Sequence, residues 1–189
     1  QENYKKSKEY HQNKLKMLEE KLVRERPLVL VVDDAFSVRV ALKYQLEKEY
    51  DVVLCGNLED AIKQYQEVVP DVAIIDLRLG AESGLKLIQQ LNDIDPLVAK
   101  LIFTAHGGMG SAKKGYDLKV VGYIEKPDLD NKIKPSVADA VKKTGDNREK
   151  FLYEFRGHYN NYSSLPEDTH RTGPIKVGED FGAWLKRTY

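Results

Sequence analysis

The chain has 189 residues, 30 basic and 30 acidic side chains and no formal net charge. That length suits one domain of ordinary size with appendages and is short for two. No segment gathers the basic surplus that phosphate backbones demand, which argues against a nucleic-acid-binding chain, and no stretch reaches the apolar length of a membrane span.

A single cysteine, Cys55, rules out an intrachain disulfide and reads as a small core or edge residue after Asp51-Val52-Val53-Leu54. No signal-peptide pattern opens the chain, so a cytoplasmic location is the default expectation. The first residue is Gln1 and not Met, so an internal fragment, a trimmed chain or a processed start is expected.

Residues 1–26 are highly charged and contain neither Gly nor Pro. Leu15, Leu18 and Leu22 fall at i, i+3 and i+7, with Tyr4 and His11 extending the stripe. An amphipathic leading helix is expected, read either as a short coiled-coil seam or as a solvated helix docked on its own domain. Pro27 ends it. From Leu28 strands and helices alternate. Strand 28–32 leads to helix 36–48, where Val38, Leu42, Gln45 and Leu46 keep a helical period. Strand 51–54 precedes helix 58–67, and Pro70 introduces strand 71–75. Helix 84–93 carries Leu85, Leu87, Ile88 and Leu91. Strand 99–103, a weak helix around 111–118 and strand 121–124 follow. A further helix is predicted from near Pro135, a residue favoured in a first turn, to just before Gly145. Five βα units with apolar strands imply a doubly wound α/β fold, a five-stranded parallel sheet with helices on both faces, over 27–144.

Residues 145–189 differ in character and form a C-terminal extension, helical in part. Asp146 or Asn147 can cap a new helix in which Phe151, Leu152, Phe155, Tyr159 and Tyr162 share a face. The stretch 165–174 is rich in turn formers. A short helix near 179–187 has acids in its first turn and bases in its last, with Phe181, Trp184 and Leu185 as an anchor. The extension could pack structurally on the domain, form a homodimer surface with 1–26, or dock a separate output protein. It lacks the basic recognition helix of a transcription factor.

Four apolar strands each end on a polar group: the pair Asp33-Asp34, then Asp76, Thr104, and Lys126 with Pro127. Any one of these alone is explained as a cap or a turn. Together they set an acid pair, an acid, a hydroxyl and an amine at the C-terminal edge of a parallel sheet, where ligands bind. Mg2+ prefers octahedral oxygen ligands and keeps several waters, so one or two carboxylates suffice. Asp34 and Asp76 suit direct ligation, Asp33 a metal-bound water or shared coordination, and the backbone carbonyl of Arg78 could complete the set. A cation would also relieve the repulsion among three carboxylates. Asp76 could then take a phosphoryl group as an acyl phosphate. The Lys126 ammonium and the Thr104 hydroxyl would stabilise the phosphoryl oxygens, with Ala105 leaving space for the group.

On these residues the chain resembles the response-regulator receiver domain of two-component signalling. The matching positions are Asp33-Asp34, Asp76, Gly84, Thr104-Ala105, Tyr123 and Lys126-Pro127. The resemblance implies a flavodoxin-like fold with strand order 2-1-3-4-5. It implies phosphoryl transfer to Asp76, with Mg2+, from a histidine kinase or phosphotransfer protein. It implies no enzyme beyond the domain's own phosphotransfer and slow autodephosphorylation. A switch is also implied: Thr104 moves inward on phosphorylation and Tyr123 fills the space. The helix around 111–118, strand 121–124 and the helix after it then repack to control a partner or self-association.

Arg78 and His106, two residues after Asp76 and Thr104, stand where receivers tune water access to the acyl phosphate; no second His or Cys makes His106 a metal ligand. Two departures from the family pattern stand out. Gly80 replaces a frequent Pro and predicts a more mobile loop. The run Gly107-Gly108-Met109-Gly110 predicts a short, displaced or partly disordered helix, or a longer loop before a normal one. A scaffold that works without phosphorylation is the alternative, against which the intact Asp76, Thr104 and Lys126 count. A haloacid-dehalogenase-type phosphatase would usually carry a second Asp where this chain has Arg78.

Overall fold

The computed structural model describes Lys16 and residues 24–105, 117–126 and 129–163, with side chains of the last helix over 132–154. Strands β1 (Leu28–Val32), β2 (Asp51–Cys55), β3 (Val72–Ile75), β4 (Ala99–Thr104) and β5 (Gly122–Glu125) form one parallel sheet in the order β2-β1-β3-β4-β5. Helices α1 (Phe36–Leu46), α2 (Leu58–Val68) and α3 (Gly84–Ile94) connect the first four strands in part, and α4 (Leu129–Ser163) follows β5. This is the doubly wound order expected from the sequence.

Alternation along the strands divides the core into two layers. Val29, Val31, Val72, Ile74, Leu101, Phe103 and Ile124 point to one face of the sheet. There they meet Leu42 and Leu46 of α1 with Ile133, Val137 and Ala140 of α4. Leu30, Val32, Ala73, Ile75 and Ile102 point to the other face, against Ala61 and Tyr65 of α2 and Leu87, Ile88 and Leu91 of α3. Cys55 lies in this second layer, a buried core thiol pushed up to about 11 by burial. Each buried aliphatic side chain contributes roughly 1.5–3 kcal/mol of transfer free energy, so the sheet is a rigid platform for whatever its edge carries.

Local chemistry sets several element ends. Asn57 caps α2 by accepting from the Asp60 N–H at 2.8 Å, and its Nδ2 donates to Asp60 Oδ2 at 2.7 Å. Residues 24–27 are not helical, so a leading helix does not extend to residue 26. Arg26 instead donates to the carbonyls of Glu47 at 2.6 Å and Tyr50 at 3.0 Å, around the end of α1. Most of residues 1–23, the helix around 111–118, the turn-rich 165–174 and the helix near 179–187 lie outside the described residues.

The expectation for the last domain helix needs correction. It does not begin near Pro135 and stop before Gly145. One 35-residue helix runs from Leu129 to Ser163 with Pro135 inside it. Glycine costs about 1 kcal/mol in a helix interior relative to alanine but does not terminate one. Asp146 and Asn147 therefore stand inside a helix and do not cap a new one. Glu25–Gly145 is one compact unit; in the other, Phe151 and Leu152 are buried and Tyr153 is exposed. A second finding is a short antiparallel ribbon, Arg78–Leu79 with Glu82–Ser83, where the sequence predicts a mobile loop. Among the described residues no helix is long and apolar enough to cross a membrane.

Candidate functional site

Strand register brings the acidic residues together. Val32 pairs with Ile75 across β1 and β3, so Asp33 and Asp76 leave the sheet side by side. The Asp76 N–H continues the ladder, donating to the Val32 carbonyl at 2.9 Å, as the Asp33 N–H does to the Cys55 carbonyl at 3.2 Å. Carboxylate oxygens of Asp33, Asp34 and Asp76 all lie within 4.8 Å of one another. Asp33 and Asp76 are buried, at 1% and 5% exposure, and Asp34 is exposed. Three anions this close repel unless a positive charge joins them.

Lys126 supplies one. It follows β5, and its Nζ donates to Asp76 Oδ2 at 2.6 Å and forms an ion pair with Asp33 Oδ2 at 2.8 Å. Burial disfavours the ammonium, but the contacts and charges of Asp33 and Asp76 outweigh it and hold the Lys126 pKa above its ordinary value. Burial raises the Asp33 carboxyl, against the opposing pull of Lys126 and of the Ala35 N–H, which donates to Oδ1 at 2.9 Å. Asp33 Oδ2 is buried, with the Lys126 ammonium 2.8 Å away. An all-oxygen donor set of three carboxylates gathered within 4.8 Å suits a hard divalent cation.

Thr104, the last residue of β4, is fully buried. Ile102 pairs with Tyr123 across β4 and β5, so Thr104 and Tyr123 stand on the same sheet face. Tyr123 is half-buried against the second core layer. Arg78 is exposed, and its N–H reaches Asp76 Oδ1 only at 3.4 Å. The structure therefore brings Asp33, Asp34, Asp76 and Lys126 together and places Thr104, Tyr123 and Arg78 at the same sheet edge. His106 lies outside the described residues.

Three further residues shape the site. The Arg39 guanidinium, from the first turn of α1, donates to the backbone carbonyls of Asp33 at 2.6 Å and Asp34 at 3.1 Å. It clamps the loop that carries the acid pair. The Gly80 N–H donates to Asp34 Oδ2 at 3.0 Å. A Cβ on Gly84 would run into the Asp76 carbonyl oxygen, and its N–H donates to the Leu77 carbonyl at 2.9 Å. Gly84 thus lets the start of α3 pack directly against the backbone of Asp76. Spacing alone showed that Gly84 fits a pattern; the close approach is what requires it. Arg39 carries no comparable signal, because an arginine on a first helical turn is ordinary.

A profile described as the response regulator receiver domain matches residues 29–138. The chain belongs to the receiver-domain family. Among its relatives is sporulation initiation phosphotransferase F of Bacillus subtilis, 26% identical over 117 residues, covering 61% of this chain and 90% of that protein. Chemotaxis protein CheY of Halobacterium salinarum is 30% identical over 114 residues, 60% of this chain and 92% of that one. Other relatives are longer: the match spans 24% of the DNA-binding transcriptional regulator NtrC of Escherichia coli. Among solved structures, the signal receiver domain of a LuxO repressor protein from Vibrio parahaemolyticus superposes with a TM-score of 0.59 at 30% identity, covering 63% of this chain and 92% of that one. Receiver domains are signalling domains.

Proposed function

We propose that this receiver is a phosphorylatable switch that accepts a phosphoryl group on Asp76 from a histidine kinase or phosphotransfer protein. The observation that carries the reading is the Lys126 ammonium held on both Asp76 and Asp33, with Asp34 beside them. The unit 27–144 is taken as the receiver, with 1–26 and 145–189 as appendages. Asp76, Asp34 and Asp33, with the Arg78 carbonyl, would hold Mg2+, which when bound neutralises the acid cluster and polarises the phosphoryl oxygens.

The residues of this chain do the rest. Asp76 uses a carboxylate oxygen as nucleophile on the phosphorus of a phosphohistidine; the P–O bond forms, the P–N bond breaks and the imidazole leaves, taking a proton. The Lys126 ammonium stays beside the acceptor and stabilises charge on the equatorial oxygens. The Thr104 hydroxyl, at the end of the neighbouring strand, donates to a phosphoryl oxygen in the loaded state. Its inward movement opens the face on which Tyr123 stands, and the β5 surface repacks to control a partner or self-association. Arg78 is exposed over the same edge, where a long cation can screen the acyl phosphate from water.

The test is incubation of the full chain with Mg2+ and acetyl phosphate, read by intact mass. One added phosphoryl group, lost in Asp76→Asn and without EDTA-resistant loading, is the expected result. Equal loading of Asp76→Asn would move the acceptor elsewhere. Size-exclusion chromatography of the same samples reads whether loading changes self-association.

A further inference from the structure

The hydrogen bond from Gly80 to Asp34 joins two parts of the site that the chain places 46 residues apart. Asp34 is the exposed member of the acid cluster. A solvated carboxylate at a loop tip samples several rotamers, and ordering it on an ion costs free energy at the moment of binding. Two contacts restrain this one beforehand. Arg39 holds its backbone carbonyl, and the Gly80 N–H holds Oδ2 at 3.0 Å.

The donor can reach Asp34 because of how the chain turns after Asp76. Arg78 pairs with Ser83 and Leu79 with Glu82, leaving Gly80 and Ala81 as a two-residue turn. Gly80 takes φ of 64°, a left-handed conformation that glycine adopts at no steric cost. A Cβ there would meet nothing within 4 Å, so no lack of space requires glycine. The backbone conformation and the N–H do. Proline could supply neither, since its ring fixes φ near −65° and its nitrogen carries no hydrogen.

We infer that the Gly80 N–H is a positioning group for Asp34, holding its carboxylate in the arrangement that ligates a divalent cation and so tying ion affinity to the 78–83 ribbon. The inference rests on the divalent-ion reading of the acid cluster given above. A carboxylate has about four lone-pair sites, so accepting one N–H leaves Asp34 free to ligate. A latch that competed with the ion would have the opposite signature, tighter binding when it is removed.

The experiment is calorimetric titration of Mg2+ into the full chain as wild type, Gly80→Pro, Gly80→Ala, Asp34→Ala and the Asp34→Ala/Gly80→Pro double variant. Amide hydrogen exchange at residue 80 is followed by NMR without Mg2+. Gly80→Pro is expected to weaken Mg2+ binding roughly three- to tenfold, the size expected for one partly exposed hydrogen bond to a charged acceptor. Gly80→Ala, which keeps the N–H but strains φ, should fall between. In the Asp34→Ala background Gly80→Pro should change affinity by less than about twofold, because Gly80 acts through Asp34. The Gly80 amide should be protected in wild type and exchange faster in Asp34→Ala. Unchanged or tighter binding in Gly80→Pro overturns the inference, as does an equal loss with and without Asp34. Absence of Mg2+ binding by the wild type would sink the divalent-ion reading itself, and the inference with it.

Discussion

Lys100 offers the sharpest physical test of the fold. It sits in β4 with 1% exposure, on the same face as Ile102 and in the layer packed by α2 and α3. Its Nζ donates to the Asp95 carbonyl at 2.9 Å and lies 5.6 Å from the centre of the Tyr65 ring. The Tyr65 hydroxyl donates to that same carbonyl at 2.9 Å. Burial brings the lysine down from 10.5 to about 7, and the charge of Asp95 opposes this only in part.

The sign follows from the proton count. Below pH 7 both folded and unfolded chains hold the proton, and the penalty for a buried ammonium is complete. Between pH 7 and 10.5 the unfolded chain holds a proton that the folded chain has released, so stability rises with pH. At about 1.36 kcal/mol per pH unit, less near the folded pKa itself, the gain from pH 7 to 9 is about 2 kcal/mol. Above pH 9 the buried Cys55 thiol, raised from 9.0 to about 11, acts the other way, because the unfolded thiol ionises first. Lys100→Met keeps the length of the side chain and removes the proton, and the Asp95 carbonyl keeps its Tyr65 donor. Urea unfolding of both proteins at pH 7, 8 and 9 should show Lys100→Met the more stable at pH 7, with its advantage shrinking by about 2 kcal/mol by pH 9. Parallel stability curves would show that the lysine keeps an ordinary pKa, and the argument would fail.

Lys126→Ala leaves Asp33 and Asp76 buried beside Asp34 without their ammonium, and should destabilise the ion-free protein by about 3 kcal/mol. Mg2+ should then raise the melting temperature of Lys126→Ala more than that of wild type; equal shifts would mean that the ion does not bind among these carboxylates. Gly145→Ala tests the continuous helix. Nothing lies within 4 Å of a Cβ at this position, so an uninterrupted α4 predicts stabilisation by about 0.5–1 kcal/mol in thermal or urea unfolding, whereas a helix end at glycine predicts destabilisation.

What the sequence disclosed and what it hid divide along one physical line. Strand positions were legible because the three central strands are buried on both faces and four of the five strands end on or run into a polar residue. Thus Val72–Ile75 runs into Asp76 and Gly122–Glu125 into Lys126. The convergence of Asp33, Asp34, Asp76 and Lys126 follows from those ends once the sheet order is known. Lys100 broke the same rule from inside, a charge in mid-strand whose acceptor and ring partner come from α2 and the end of α3; no local pattern announces such a pair. Gly145 misled for a related reason, since glycine is read as a stop while the helical preference of its neighbours is a sum over many residues. The Gly80–Asp34 and Arg39–Asp33 contacts were hidden because they run between a side chain and a backbone group, and residue types do not reveal which N–H or carbonyl a turn will expose. Site chemistry in this receiver is therefore written in side chains, but its positioning is written in backbone geometry. Substitutions at Gly80 and Gly84, which carry no functional group, should disturb the acid cluster as directly as substitutions beside it.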